Sequence, residues 1–404
     1  MKCEPFIKIL GGITAVKGVQ AAGVACGIKK AGLDLALIAS TPPAATAGVF
    51  TTNHVKAAPV LLCKRKLHMG RLSALVANSG NANACTGRQG EEDARAMARI
   101  TAEALRIPED EVYVASTGVI GQPLDMEKVA WGIRHAASLL RPDGGPDAAR
   151  AIMTTDAFPK EAAVAYEHGG KRVTVGGMAK GAGMIRPRMA TMLAFLATDA
   201  SVEKNPLQEA LRHSVDHSFN LITVDGDTST NDTVILFANG VSGTAPLKSG
   251  EDMERFQMAL NHVTMTLARA IVSDGEGATK LVEVRVEGAR TPEEARQVAF
   301  SVANSLLVKT AFFGEDPNWG RVMAAIGASG VELRPEAIDI YFDEVKIVER
   351  GVGLGREQEL EAARVMRGRV FRLEIHLGQG RASAQVLTTD LNYDYVKINA
   401  SYRS

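Results

Sequence analysis

The segment Lys180 to Leu193 reads KGAGMIRPRMATML, and Thr191 is the residue in it whose setting could make a nucleophile. Gly181 and Gly183 admit backbone geometries closed to other residues, and Pro187 stiffens the approach. A threonine hydroxyl on a rigid strand can attack the preceding carbonyl if the turn holds that peptide distorted. The small Ala190 side chain leaves access to the bond. The resulting ester would hydrolyse and give Thr191 a free α-amine. Such an amine titrates near ~7.7–8.0, whereas a lysine near ~10.4 stays mostly protonated. It could therefore take the proton of its own hydroxyl, so that one residue is both nucleophile and base. On these residues alone, a threonine that simply begins a strand remains the commoner reading.

Other candidate chemistry fails on spacing. His213 and His217 are four apart, but Ser214, Val215 and Asp216 lie between them, without the glutamate of a zinc-protease motif. The run DGDTSTND, Asp225 to Asp232, starts like a calcium loop. Its sixth position is Thr230 in place of glycine and its twelfth is Leu236 in place of glutamate. A tight turn or a hydrogen-bonding active-site loop fits it better. Gly181-Ala182-Gly183 begins a dinucleotide fingerprint, but Arg186 occupies the third glycine position. There is no P-loop and no GxSxG elbow. Ser201 to Lys204 matches SxxK without its companion motifs.

The elements that must position Thr191 follow from periodicity. Leu33 to Ala39, Leu72 to Ala77 and Glu111 to Ala115 read as strands. Glu91 to Leu105, Met126 to Leu140 and Met253 to Ile271 read as amphipathic helices. Gly169-Gly170 marks a hairpin between Val164–Tyr166 and Arg172–Val175. Thr191 to Ala197 is continuous enough for a buried strand, and Asn205-Pro206-Leu207-Gln208 resembles a capping box. Val282, Val284 and Val286 alternate with polar residues, Thr291-Pro292-Glu293-Glu294 caps a helix, and Ile338–Phe342 with Val345–Val348 forms a hairpin. Phe371, Leu373, Ile375 and Leu377 alternate again. The expected organisation is a large α/β layered domain over 1–280 and a smaller α+β domain over 281–404.

Composition bounds the class. The 404 residues exceed what one core usually supports, so two domains are the default. Lys plus Arg and Asp plus Glu both number 46, so no global field favours nucleic acid or an anionic membrane. No apolar run approaches the ~18 residues of a membrane span. The N-terminal stretch carries no clear signal-cleavage site. The four cysteines, Cys3, Cys26, Cys63 and Cys85, form no CxxC pair, which argues against a disulfide framework or a cysteine zinc site and suits a reducing cytoplasm.

The KGAGMIRPRMATML segment resembles the cleavage motif of the ornithine acetyltransferases, also called bifunctional glutamate N-acetyltransferases, of arginine biosynthesis. GGITAVKGVQAAGVACGIK near the start, VANSGNANACTG at 76–87, ASTGVIG at 115–121, DGEGATK at 274–280, FFGEDPNWGR at 312–321 and the terminal KINASYRS resemble the same family. The resemblance runs in order over nearly the whole chain. It implies a layered α/β fold shared with the L-aminopeptidase/D-esterase group. It further implies self-cleavage between Ala190 and Thr191, Thr191 as nucleophile, and Thr117 with Gly118 as the oxyanion hole. Without the family, Ser116-Thr117-Gly118 reads as a plain turn. Substrate binding would fall to Thr154, Lys180, Thr191, Glu276, Asn399 and Ser404, where the family often ends in threonine. Lys180 suits a substrate carboxylate and Glu276 the amine of ornithine; alone, Lys180 reads as a surface lysine, and Glu276 equally as a turn residue or an amine contact.

The implied reaction is ping-pong. Thr191 takes acetyl from N-acetylornithine and passes it to glutamate, with no metal or organic cofactor. Acetyl-CoA is a possible co-substrate, ranked below N-acetylornithine because no phosphate-cradling motif is present; Arg186 and Arg188 are the charges nearest Thr191 in sequence. The cleaved pieces would associate as an α2β2 heterotetramer, without nucleic acid or membrane partners. Two rival readings are a self-processing amidase or aminopeptidase on the same scaffold, with water as acceptor, and an uncleaved amino-acid-binding protein.

Overall fold

A computed structural model describes residues 6–186, 192–248 and 250–401. The chain forms two compact units. One holds the residues up to Asn220 together with Asp227–Ile271; the other holds Leu221–Gly226 and the chain from Val272 to the end of its last helix.

The first unit is built on a nine-stranded sheet of β1 (Ile7–Ile9), β2 (Val19–Val24), β3 (Leu35–Phe50), β4 (Arg71–Asn81), β5 (Val112–Val119), β6 (Lys160–His168), β7 (Lys171–Lys180), β8 (Leu193–Thr198) and β9 (Thr233–Ala238). Its order is β1-β6-β7-β8-β9-β3-β4-β5, with β2 also on β3. The β4·β5 and β8·β9 pairs are parallel and the others antiparallel. Helices α1 (Ala58–Lys66), α2 (Gly87–Leu105), α3 (Met126–Ser138), α4 (Gly145–Ala151), α5 (Lys204–Asp216) and α6 (Glu251–Ser273) accompany it.

The central strands are apolar at consecutive positions because both faces are covered. Along β3, Ala36 and Ile38 enter one core, while Leu35 and Leu37 enter the other. In β5, Tyr113 and Ala115 go to the first core, and Val112 and Val114 to the second, which α2 and α3 cover with Met97, Val129 and Ile133. The Gly169-Gly170 hairpin is present, with φ of 56° and 73° at the two glycines, where a turn matching the strand twist needs positive φ.

The second unit carries a six-stranded sheet of β10 (Leu281–Ala289), β11 (Asp339–Phe342), β12 (Val345–Glu349), β13 (Val352–Gly353), β14 (Val370–His376) and β15 (Ala382–Thr389), in the order β13-β12-β11-β14-β10-β15. One face is polar. The other packs Val282, Val284, Val286, Leu373 and Ile375 into a core shared with α7 (Pro292–Ala303), α9 (Trp319–Gly327) and α10 (Arg356–Met366). Helices α8 (Leu306–Phe313) and α11 (Tyr393–Ser401) complete the unit. The Thr291 hydroxyl caps α7 by accepting from Glu294 N, as its sequence indicates.

The layered α/β class expected from the sequence is the one observed. One expected start is corrected: α5 begins at Lys204 behind Glu203, with no side-chain cap, so Pro206 is its third residue. Gln208 is diverted from capping because its amide accepts from Gly48 N (3.0 Å) and donates to Gly48 O (3.1 Å) on β3. No helix among the described residues is long and apolar enough to cross a membrane.

Candidate functional site

Strand β5 runs further than its periodicity suggested, so Ser116, Thr117 and Gly118 are its carboxyl end and not an isolated turn. In the parallel register Ser79 faces Thr117 and Gly80 faces Gly118, and Asn81 then pairs with both Thr117 and Val119. Gly118 is the bulged residue, with φ of 132°. A Cβ there would collide with the backbone of Gly80 and Asn81, so only glycine fits. Buried amides fix this strand end. Asn78 accepts from Ser116 Oγ (2.6 Å), and Asn231 Nδ2 donates to Ser116 O (2.8 Å) and Ala82 O (2.6 Å).

Lys180 closes β7 and is 3% exposed, the opposite of the solvated lysine its position alone suggested. Its Nζ donates to Thr154 Oγ1 (2.8 Å) and Thr117 Oγ1 (3.3 Å). Thr117 therefore uses an oxygen lone pair on the ammonium and keeps its own O–H to give to a third group. Thr117, Thr154 and Lys180, 63 and 26 residues apart in the two bonds, are thus brought into one cluster beside Gly118.

Asp156 holds the cluster from behind. Its Oδ1 accepts from Lys160 Nζ (2.7 Å) and Gly181 N (2.7 Å), and its Oδ2 from Thr154 N (2.9 Å). Burial opposes its charge, but Lys180, Lys160 and these donors outweigh burial and hold its pKa at about 2. Sequence reasoning misses Asp156 and Lys160, because a spacing of four between a loop and the first residue of β6 carries no local signal.

Thr191 and Ala190 lie outside the described residues, as do Arg188 and Ser404. Met184, on the approach, has a φ of 58°, a conformation that costs a side-chain-bearing residue about 1–3 kcal/mol. Met192, which follows Thr191, is buried and held on both sides of its backbone. Its N–H donates to Asp232 Oδ1 (2.9 Å), and its carbonyl accepts from Thr233 N (3.1 Å). Strand β8 then begins at Leu193, directly opposite Lys180. Asp232 is fully buried, and burial pushes its carboxyl well above the usual range, against the Met192 bond, Thr51 and the Lys180 charge. The run that looked like a failed calcium loop therefore supplies Asn231 and Asp232 as hydrogen-bonding supports.

In the second unit, Asn399 on α11 donates from Nδ2 to Glu276 Oε2 (2.7 Å). The Glu276 loop is tied at Gly277, which takes a φ of 72° and whose carbonyl accepts from Asn392 Nδ2 (2.5 Å). Asp390 accepts from Thr279 N (2.8 Å), Thr279 Oγ1 (2.7 Å) and Lys280 N (2.9 Å). Asn392, just before α11, and Asn399, on it, thus both bond to the Glu276 loop. His213 and His217 stack on each other at 4.1 Å, and His217 Nδ1 contacts the His213 carbonyl. Among the described residues, the ligand atoms that converge closely enough for a metal are those of Glu287, Glu374 and His376, on the polar face of the second sheet. Arg285 and Arg372 already pair with the two glutamates.

A two-sided sheet whose strand ends gather a buried ammonium and two hydroxyls places the chain among the layered α/β enzymes. The ArgJ family profile matches residues 20–404. The chain is 54% identical over 402 residues to the arginine biosynthesis bifunctional protein ArgJ of Symbiobacterium thermophilum, covering 98% of this chain and 99% of that protein. It is 47% identical over 403 residues to the glutamate N-acetyltransferase of Methanocaldococcus jannaschii, covering 97% and 98%. A solved chain of ornithine acetyltransferase complexed with ornithine, from Mycobacterium tuberculosis, is 48% identical and covers 45% of this chain and 98% of its own length, with a TM-score of 0.43. The chain belongs to the ArgJ family, the enzymes of arginine biosynthesis that its sequence motifs resemble.

Proposed function

We propose that this enzyme moves an acetyl group from N-acetylornithine to glutamate through an acetyl-Thr191 ester, after cutting its own chain before Thr191. The observation that carries the reading is the Lys180–Thr117 bond beside the bulged Gly118. It leaves a hydroxyl proton and a strand-end backbone at a rigid, largely water-free position, which is what a developing oxyanion requires.

In the first step, Thr191 Oγ attacks the Ala190 carbonyl. The peptide C–N bond breaks, which forms an ester and frees the α-amine, and water then hydrolyses the ester to release the Ala190 carboxylate and the Thr191 hydroxyl. In turnover, that amine takes the hydroxyl proton while Oγ attacks the acetyl carbonyl of N-acetylornithine. Thr117 and the Gly118 N–H hold the oxyanion. The amide C–N bond then breaks, and the departing ornithine nitrogen receives the proton. Glutamate's neutral amine attacks the ester, and the acetyl group leaves as N-acetylglutamate with Thr191 restored. The residues supply the acid, base and oxyanion donors, so the chemistry calls for no metal or organic cofactor. Thr154, Lys180, Thr191, Glu276, Asn399 and Ser404 are the proposed substrate-binding residues, Lys180 for a carboxylate and Glu276 for the ornithine amine. The two pieces stay together because β8 is buried between β7 and β9, and they form an α2β2 assembly in the cytoplasm.

The test combines processing and transfer. Purified protein should run as two bands near half the intact size, the C-terminal one beginning TMLAF. It should form N-acetylglutamate from N-acetylornithine faster than from acetyl-CoA. Thr191→Ala should lose both scission and transfer, and Thr191→Ser should keep part of each. Normal turnover by Thr191→Ala sinks the mechanism.

A further inference from the structure

The loop after β2 places a second ammonium at this site. The buried Asp34 carboxylate accepts from four successive backbone N–H groups, those of Cys26 (2.6 Å), Gly27 (3.0 Å), Ile28 (2.7 Å) and Lys29 (3.0 Å). Its own backbone is held by Val24 O and by Ser79 N. This clamp leaves the loop little freedom and fixes where Lys29 starts. The Lys29 stem then crosses Gly80, where a Cβ would lie 2.7 Å from Lys29 Cγ. Gly80 is the residue that abuts Gly118. At its far end, Lys29 Nζ donates to Met153 O (3.0 Å), the carbonyl next to Thr154. Lys29 therefore spans from the oxyanion strand end to the Thr154–Lys180 pair.

Lys29 feels the carboxylates of Asp34 and Asp156 and the ammonium of Lys180. Both carboxylates are already engaged by backbone donors and, for Asp156, by Lys160. Burial, aided by Lys180 and opposed by Asp34 and Asp156, lowers the Lys29 pKa, so an added anion would be welcome beside it. The donor and acceptor of the proposed reaction differ in this respect: N-acetylornithine carries one carboxylate, and glutamate carries two.

We propose that Lys29 is a second carboxylate-binding residue that holds the side-chain carboxylate of the dicarboxylic amino acid accepting the acetyl group. Lys180 then serves the carboxylate common to both substrates, and Lys29 makes the site selective for a diacid in the second half-reaction. This rests on the acetyltransferase reading above.

The experiment compares the full enzyme with Lys29→Met, which keeps the stem over Gly80, with Lys29→Gln as a second neutral variant, and with Lys29→Arg. Acetyl-enzyme formation from N-acetylornithine is timed separately from transfer to glutamate and to glutamine. A charged hydrogen bond of this kind corresponds to roughly a 10- to 100-fold effect. Wild type should prefer glutamate to glutamine by about that factor. In the neutral variants the glutamate KM should rise by a similar factor and the preference should collapse, while acetyl-enzyme formation stays within roughly threefold. Lys29→Arg should restore the preference. A purely structural staple from Lys29 to Met153 would slow both half-reactions together and leave the glutamate-to-glutamine ratio unchanged; that result overturns the proposal. A wild type that transfers nothing to glutamate overturns the acetyltransferase reading and this proposal with it, whereas transfer by wild type with an unchanged ratio in the variants overturns the proposal alone.

Discussion

The Met192 N–H donates to Oδ1 of Asp232 across 2.9 Å, inside protein, one residue after Thr191. The bond anchors the chain immediately beyond the proposed scissile peptide to the start of β9. With Thr233 N on the Met192 carbonyl, it gives the proposed nucleophile a fixed neighbour on its C-terminal side.

Asp232→Ala strands the Met192 N–H without its acceptor and should cost about 1–3 kcal/mol of stability. Asp232→Asn keeps an oxygen for the bond and should cost less. Chemical denaturation of the two variants checks the order; an equal loss would show that the bond does not matter.

The same residue gives a pH dependence. Burial raises the Asp232 pKa in the folded state, so its contribution is complete below the ordinary aspartate range and is lost as pH rises through the folded value. Asp232→Asn cannot ionise. Its stability relative to wild type should therefore improve as pH rises, and melting temperatures across that range provide the measurement. A constant difference would contradict the assigned protonation.

Asp156 behaves oppositely. Its folded pKa of about 2 lies below the ordinary 3.8, so its contribution is complete above the ordinary value and is lost as pH falls toward 2. The shift corresponds to about 2 kcal/mol. Asp156→Asn leaves Lys160 buried beside a neutral amide and should cost about 3–5 kcal/mol, as breaking one side of a buried pair does. Acid titration of stability should also be shallower in that variant between about pH 4 and 2. An unchanged titration would remove Asp156 from this role.

Thr117→Val keeps the shape of the side chain and removes the hydroxyl. Acetyl-enzyme formation should fall about 10²–10³-fold, and Thr117→Ser should recover most of it. Single-turnover measurement with N-acetylornithine is the check. A valine variant within a few-fold of wild type would deny Thr117 its oxyanion role.

Glu276→Gln should weaken N-acetylornithine more than glutamate, because only the former carries a side-chain amine. Loss of one charged hydrogen bond predicts a KM increase of roughly tenfold or more for the donor. Asn399→Ala should follow in the same direction with a smaller effect, since Asn399 acts on Glu276 through its 2.7 Å bond. Equal effects on both substrates would reassign the pair to a structural role.

The sequence by itself determined strands such as β4 and β14 and helices such as α2, α3 and α6, because burial on one face or two writes a repeat of two, of 3.6, or a continuous apolar run. It also pointed to Thr191, through glycine, proline and a small residue ahead of an apolar run. Local spacing could not reveal the supports. Lys180 reads as a surface lysine until β5 and the Thr154 loop are folded around it. Asp232 reads as part of an incomplete calcium loop until it meets Met192. Lys29 lies 124 residues from the carbonyl it bonds. Only the tertiary structure decides these, because desolvation and convergence of charge depend on which distant segments exclude water, and no periodicity in the chain records that.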